Sequence, residues 1–112
     1  IFSFTQKMVP TLVDAILSIN KFNKSAIDLF VFHQANKFML DFLQRKAKID
    51  KQKFFHCLSR FGNTVSSTIP IALAEAIQQD RINYGHKILL AGFGVGYSWG
   101  GTILEINETL GL

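Results

Sequence analysis

Residues 27–36 read Ile-Asp-Leu-Phe-Val-Phe-His-Gln-Ala-Asn. The run from Ile27 to Phe32 is apolar at every position except the second, which is typical of a strand buried on both faces of a parallel sheet. A histidine and two side-chain amides follow directly where this strand should end. In open α/β sheets, ligands bind beyond the carboxyl ends of the strands. The stretch therefore predicts a sheet covered by helices and a polar site at one edge of it.

Segments whose apolar residues recur with helical spacing lie on both sides of this strand in the sequence. Apolar spacing predicts an amphipathic helix over residues 6–20, with Pro10 near its first turn, and a second helix over residues 34–47. The apolar positions of these two helices are Val9, Leu12, Val13, Ile16 and Leu17, then Ala35, Phe38, Met39, Phe42 and Leu43. A third helix is predicted from a cap at Ser67 or Thr68, followed by Pro70 in its first turn. Its expected buried face consists of Leu73, Ala76 and Ile77.

Four further segments have the character of strands. They are residues 1–4, 54–58, 87–93 and 97–106. The resulting order is strand, helix, strand, helix, strand, helix, strand, strand, or βαβαβαββ. This order predicts an α/β fold with a mixed, mainly parallel sheet that ends in a hairpin.

Composition limits the class of protein. The 112 residues are 48% hydrophobic with eleven phenylalanines, which favours one packed domain over disorder. So much apolar bulk in a short chain that begins with Ile1 suggests an excerpt of a longer chain, with some of this surface facing another domain or subunit. One cysteine excludes an internal disulfide and is compatible with the cytoplasm. The net charge is +4, but the sequence has no nucleic-acid-binding motif and no apolar run long enough to span a membrane. Neither a nucleic acid nor a membrane is therefore expected as a partner.

Three polar or glycine-rich segments should converge at the same edge of the sheet. They are residues 33–36, residues 62–64 and residues 92–96, which follow the apolar runs ending at Phe32, Leu58 and Ala91. Taken singly, a histidine before a helix is usually a capping or packing residue, and asparagine after glycine is usually turn chemistry. Three such segments on one edge favour a ligand or catalytic site.

These segments also carry a resemblance to a known family. The family motifs correspond to His33-Gln34-Ala35-Asn36, to Arg60-Phe61-Gly62-Asn63-Thr64, and to Gly92-Phe93-Gly94-Val95-Gly96-Tyr97-Ser98-Trp99-Gly100. In this order and separation, they resemble the C-terminal half of the β-ketoacyl-acyl-carrier-protein synthase III family, which has the thiolase fold. The similarity extends over about residues 1–106, so residues 1–112 are expected to form one C-terminal domain.

The resemblance implies a Cys-His-Asn active site in a cytoplasmic homodimer that initiates fatty acid biosynthesis. The cysteine would lie in the missing N-terminal half and take an acyl group from acyl-CoA. Malonyl-acyl-carrier protein would then lose carbon dioxide, and its enolate would attack the acyl-cysteine. By this resemblance His33 and Asn63 are the catalytic donors to the malonyl thioester oxygen, and no cofactor or metal is required. The loop of Phe93, Gly94, Val95 and Gly96 would supply a backbone N–H, that of Val95, to the oxyanion hole.

Two positions depart from the family pattern. An arginine that helps to dock the acidic carrier protein often lies two residues after the His-Gln-Ala-Asn motif, where this chain has Phe38. The preceding Lys37 and the basic stretch 45–53 are expected to supply the docking charge, although a solvated helix face explains that stretch equally well. Cys57 lies where the family carries no nucleophile, which favours a buried, inert thiol.

Other functions fit the sequence less well. Gly96-Tyr97-Ser98-Trp99-Gly100 matches the G-x-S-x-G elbow of α/β-hydrolases, but a strand-like run follows it and no histidine occurs after His86. The glycines at 92, 94 and 96 lack the G-x-G-x-x-G spacing of dinucleotide sites. Two alternatives stay open: a related condensing enzyme of polyketide or other secondary metabolism, and a non-catalytic subunit that keeps the fold.

Overall fold

The computed structural model describes residues 2–57, 68–94 and 98–107 of the chain. In chain order, the helices and strands are α1 (Phe2–Asn20), β1 (Leu29–Phe32), α2 (Lys37–Lys46), α3 (Thr68–Gln78), β2 (Lys87–Gly94) and β3 (Ser98–Glu105). Short 3₁₀ turns at Lys24–Ala26 and Lys51–Lys53 lie in the connections.

The strands form a mixed sheet in the order β1-β2-β3. Strand β1 is parallel to β2, with Leu29 opposite Ile88 and Phe32 opposite Ala91. Strand β2 is antiparallel to β3 along its whole length. These pairings confirm the predicted α/β class and the C-terminal hairpin.

Helices cover both faces of this sheet. Phe30 and Phe32 belong to one hydrophobic cluster with residues of α1 and α2, whereas Leu29 and Val31 belong to a second cluster with Ala72 and Ala76 of α3. All four residues of β1 are buried, and they alternate between the two clusters. The prediction of a strand buried on both faces is confirmed, because each successive side chain points to the opposite layer.

The predicted first strand is wrong, because Phe2, Ser3 and Phe4 are already helical. Buried Thr5 shares an i, i+4 stripe with Val9 and Val13, so the helical face continues toward the N-terminus. Pro10 is consequently inside the helix rather than in its first turn. Proline lacks the N–H that would bond to the carbonyl four residues earlier, yet α1 continues through it to Asn20.

The predicted strand at 54–58 is wrong for the residues that the structure describes, which extend to Cys57. Phe54 makes only an isolated parallel bridge to Phe30. The Phe55 N–H still donates to the Phe30 carbonyl, but the Phe55 carbonyl and the Cys57 N–H are bonded to a side chain instead, as described below. Helix α2 begins at Lys37, three residues later than predicted, because Asn36 caps it.

The buried faces of the helices also differ in detail from the prediction. Phe38 is exposed on 68% of its surface, and Leu40 takes a core position in α2. In α3, Ala72 and Ala76 are fully buried, whereas Leu73 and Ile77 pack at the margin of the cluster. No helix in the described part of the chain has the length and apolar character needed to span a membrane.

Candidate active site

His33 lies where three elements meet. Its backbone N–H donates to the carbonyl of Ala91 at 2.9 Å, which extends the β1–β2 pairing by one residue. Its ring packs edge-on with the Phe93 ring, with centroids 5.2 Å apart and planes at 89°. Its Nδ1 atom is 2.5 Å from the hydroxyl oxygen of Thr68 at the start of α3. The carboxyl ends of both parallel strands and the N-terminus of a helix therefore converge on one imidazole.

The surroundings of His33 favour the neutral ring. Burial lowers the pKa of His33 below its ordinary value of 6.5, because removing water penalises the charged imidazolium. The predicted second helix, over residues 34–47, would have placed its own N-terminus directly beside His33. In the structure α2 begins four residues after His33, and the helix end that contacts the ring is that of α3. The positive end of a helix dipole also disfavours a protonated ring.

Gln34 joins the end of β1 to the chain at residues 55–57. Its side chain is 1% exposed, and its Nε2 donates to the carbonyls of Phe32 at 2.8 Å and Phe55 at 3.4 Å. Its Oε1 accepts the backbone N–H of Cys57 at 3.0 Å. One side-chain amide thus makes the bonds that a continuing β-ladder would otherwise make, and it holds residues 55–57 against the end of β1.

Asn36 and Lys37 form the start of α2. The side-chain oxygen of Asn36 accepts the Met39 backbone N–H at 2.8 Å, which is a helix N-cap. Lys37 follows with 82% of its side chain exposed and its ammonium 2.8 Å from the carboxylate of Asp41. That ion pair and the other positive charges nearby lower the pKa of Asp41, with Lys37 as the largest cause. Lys37 therefore presents its charge at the surface, four residues after His33.

Only part of the predicted oxyanion loop can be placed. Phe93 and Gly94 end strand β2, and Phe93 is the residue in contact with the His33 ring. Asn63, Val95 and Gly96 lie outside the described residues. The structure thus brings His33 and Phe93 together, and the roles assigned to all of these residues stay predictions.

Cys57 is buried, as the sequence predicted. Burial raises the pKa of its thiol, and the neighbouring Glu75 carboxylate raises it further. A thiol with a raised pKa carries little thiolate and is a poor nucleophile. Within the ranges 2–57, 68–94 and 98–107, no three His, Cys, Asp or Glu side chains form a group that could hold a metal ion.

The hydrolase alternative lacks its required geometry. A nucleophile elbow places its serine between a strand and a helix. Here Ser98 is the first residue of β3, which runs to Glu105.

Sequence reasoning missed two residues of this site. Thr68 was considered only as a helix cap, although the rule that ligand-binding groups gather at one edge of a parallel sheet also places the start of α3 there. Gln34 was part of a recognised motif without a role of its own. Its partners Phe55 and Cys57 are 21 and 23 residues away, and a pairing at such sequence distances leaves no local signal.

Comparison with known proteins identifies the family to which the chain belongs. The family model described as "3-Oxoacyl-[acyl-carrier-protein (ACP)] synthase III C terminal" matches residues 17–106. The chain belongs to this family. The family relationship confirms the resemblance and the thiolase-like fold that were inferred from the sequence motifs.

Individual relatives support the same assignment. The chain is 39% identical over 108 residues to the β-ketoacyl-[acyl-carrier-protein] synthase III of Streptococcus pyogenes serotype M49, covering 95% of this chain and 33% of that protein. A crystal structure of a 3-oxoacyl-(acyl-carrier-protein) synthase III is 42% identical, with a TM-score of 0.90 over 93% of this chain and 31% of that one. The corresponding enzyme of Pseudomonas aeruginosa PAO1 is 26% identical, with a TM-score of 0.91 over 98% of this chain and 35% of that one. The chain thus spans about a third of the length of the relatives that it matches.

Proposed function

We propose that residues 1–112 form the C-terminal domain of a 3-oxoacyl-acyl-carrier-protein synthase III and supply the groups that activate malonyl-acyl-carrier protein. The observation that carries the proposal is the placement of His33. A half-buried imidazole with a lowered pKa lies at the carboxyl ends of two parallel strands, in the position that the family motif gives to a catalytic histidine. The substrates would be acyl-CoA and malonyl-acyl-carrier protein, and the product would be a 3-oxoacyl chain that starts fatty acid synthesis.

The chemistry requires donors that do not give up a proton. When the bond between the malonyl α-carbon and its carboxylate breaks, carbon dioxide leaves and the electron pair moves onto the thioester oxygen. A neutral imidazole N–H and the amide of Asn63 would donate to that oxygen, and each such donor lowers the barrier by about 2.7–4 kcal/mol. The enolate carbon then bonds to the carbonyl carbon of the acyl-cysteine, and the cysteine thiolate leaves.

The remaining parts of the reaction are assigned by the family resemblance. By that resemblance the nucleophilic cysteine would belong to an N-terminal half, and the burial and raised pKa of Cys57 support giving it no such role. The loop of Phe93, Gly94, Val95 and Gly96 would hold the acyl-thioester oxygen through the Val95 N–H. Lys37 would attract the acidic carrier protein, and the working enzyme would be a cytoplasmic homodimer without a metal or other cofactor.

A hybrid enzyme tests this proposal. It joins the N-terminal two thirds of the Streptococcus pyogenes relative to this chain, which replaces the matching C-terminal third. With acetyl-CoA and malonyl-acyl-carrier protein, we expect the hybrid to form the 3-oxoacyl product, detected as a mass shift of the carrier protein. The parent enzyme is the positive control, and its N-terminal two thirds alone is the negative control. A folded hybrid that forms no product would refute the proposed function.

A further inference from the structure

Thr68 contacts the candidate catalytic histidine in a way that the proposed function has not used. It is the first residue of α3, it is 2% exposed, and its hydroxyl oxygen lies 2.5 Å from Nδ1 of His33. The two residues are 35 positions apart, so the contact is made by the fold and not by local sequence.

The direction of the hydrogen bond between Thr68 and His33 follows from the requirement that the buried hydroxyl proton has an acceptor. A buried hydroxyl proton needs an acceptor, and an unpaired one costs free energy. Within the described part of the chain, the Thr68 hydroxyl hydrogen-bonds to Nδ1 of His33. If Nδ1 carried a proton, it would be the donor, and the Thr68 hydroxyl proton would lose this acceptor.

The helix end favours the same direction. Helix α3 begins at Thr68, and the N-terminal end of a helix carries a positive partial charge. A lone pair on Nδ1 is attracted to that end, whereas an Nδ1–H group is repelled. Both arguments place the single proton of the neutral ring on Nε2.

We propose that Thr68 is a positioning residue whose hydroxyl donates to Nδ1 and holds His33 as the Nε2–H tautomer. Its consequence for catalysis rests on the proposed function. With Nδ1 engaged by Thr68, Nε2–H is the donor that the ring would offer to the malonyl thioester oxygen. The opposite tautomer would present a lone pair to an oxygen that is becoming negative, and it could not stabilise that charge.

Ring-¹⁵N NMR tests the tautomer directly. The 112-residue chain has three histidines, so His33 can be assigned from the signal that the His33→Gln variant lacks. We expect the wild-type ring to be protonated at Nε2 near pH 7. Thr68→Val keeps the shape of the side chain but removes the hydroxyl, and it should give a mixture of tautomers. Thr68→Ser should restore the wild-type pattern, and Thr102→Val on the exposed part of β3 should not change it.

The same variants, made in the hybrid enzyme, test the effect of the His33 tautomer on malonyl decarboxylation. Loss of one hydrogen bond to the catalytic ring should lower kcat for malonyl decarboxylation about tenfold, with KM nearly unchanged, and Thr68→Ser should recover most of it. The unfolding midpoints of the variants show whether a lower kcat results only from a less stable fold.

Each result has a defined meaning. A wild-type ring protonated at Nδ1, or an unchanged tautomer in folded Thr68→Val, would overturn the inference. Full activity of Thr68→Val in the hybrid would overturn the catalytic consequence. If the spectra are as expected but the unmodified hybrid is inactive, the proposed function fails while the role of Thr68 in fixing the ring stands.

Discussion

His33 illustrates how the position of a residue can be predicted from sequence while its surroundings cannot. The sequence places it after a doubly buried strand, which is enough to bring it to the ligand-binding edge of the sheet. Its tautomer and its pKa depend on Thr68 and on burial beside Phe93, and both partners come from other elements. A residue's position is thus set by the element before it, and its chemistry by the elements that pack around it.

Lys37 carries a prediction about the carrier protein. In the hybrid enzyme, Lys37→Glu should raise KM for malonyl-acyl-carrier protein about threefold or more at low salt, and KM for acyl-CoA much less. The reason is that its exposed charge lies four residues after His33, and the variant also leaves Asp41 without its ion pair.

Lys7→Glu on the exposed side of α1 makes the same charge change in a different element and serves as the control. Equal effects of the two variants on the KM ratio, or no effect of either at low salt, would place the docking surface elsewhere. Steady-state kinetics at two salt concentrations decide between these outcomes.

At the scale of elements, the packing of α1 on the hairpin depends on a glycine in β3. A Cβ atom at Gly101 would lie 2.7 Å from Ile16 Cδ1 and would collide with the carbonyl oxygen of Leu90. Gly101→Ala should therefore lower the free energy of unfolding by about 1–3 kcal/mol.

The neighbouring glycine is a matched control. A Cβ atom at Gly100 would meet nothing within 4 Å, so Gly100→Ala should be neutral or slightly stabilising. Urea unfolding of both variants measures the difference. Equal stabilities would show that α1 does not pack this closely on β3.

Gln34 carries the second prediction at this scale. Gln34→Leu keeps the bulk of the side chain but leaves the Cys57 N–H and the Phe55 carbonyl unpaired in a buried place. We expect a loss of about 3 kcal/mol in the free energy of unfolding, because each unpaired buried group costs about 1–3 kcal/mol. Gln78→Leu on the exposed side of α3 should stay within about 0.5 kcal/mol of the wild type. Similar free energies of unfolding for the two variants would show that the hydrogen bonds of Gln34 to residues 55–57 do not stabilise the fold.

The elements that were predicted well have a pattern of apolar residues that continues over the whole element, and those that were missed do not. Strand β1 is apolar at all four positions, and β2 continues the same pattern from Ile88, so both could be recognised. The stretch 54–57 is also rich in aromatic residues, yet it forms no strand, since Gln34 supplies the hydrogen bonds. The four residues at the N-terminus were too few to distinguish two-residue alternation from the helical stripe of α1.

For the whole molecule, we predict that Cys57 does not act as the acyl-accepting nucleophile. After incubation with acetyl-CoA and malonyl-acyl-carrier protein, intact-mass spectrometry should find no acyl adduct on Cys57, because burial and Glu75 raise the pKa of its thiol. The unfolded chain in denaturant should react with a thiol reagent at the same cysteine, which shows that the thiol itself is intact. A stable acyl adduct on folded Cys57 would overturn the placement of the nucleophile in an N-terminal half.

The most direct test of the central claim separates the two half-reactions of the hybrid enzyme. His33→Ala and Asn63→Ala should each lower malonyl decarboxylation by about 10²–10³, because each removes one donor to the developing oxyanion. Acylation of the cysteine from radiolabelled acyl-CoA should fall far less, since neither residue is assigned to that step. Equal loss of both half-reactions, or no loss in either, would contradict the claim that this chain supplies the groups that activate the malonyl thioester.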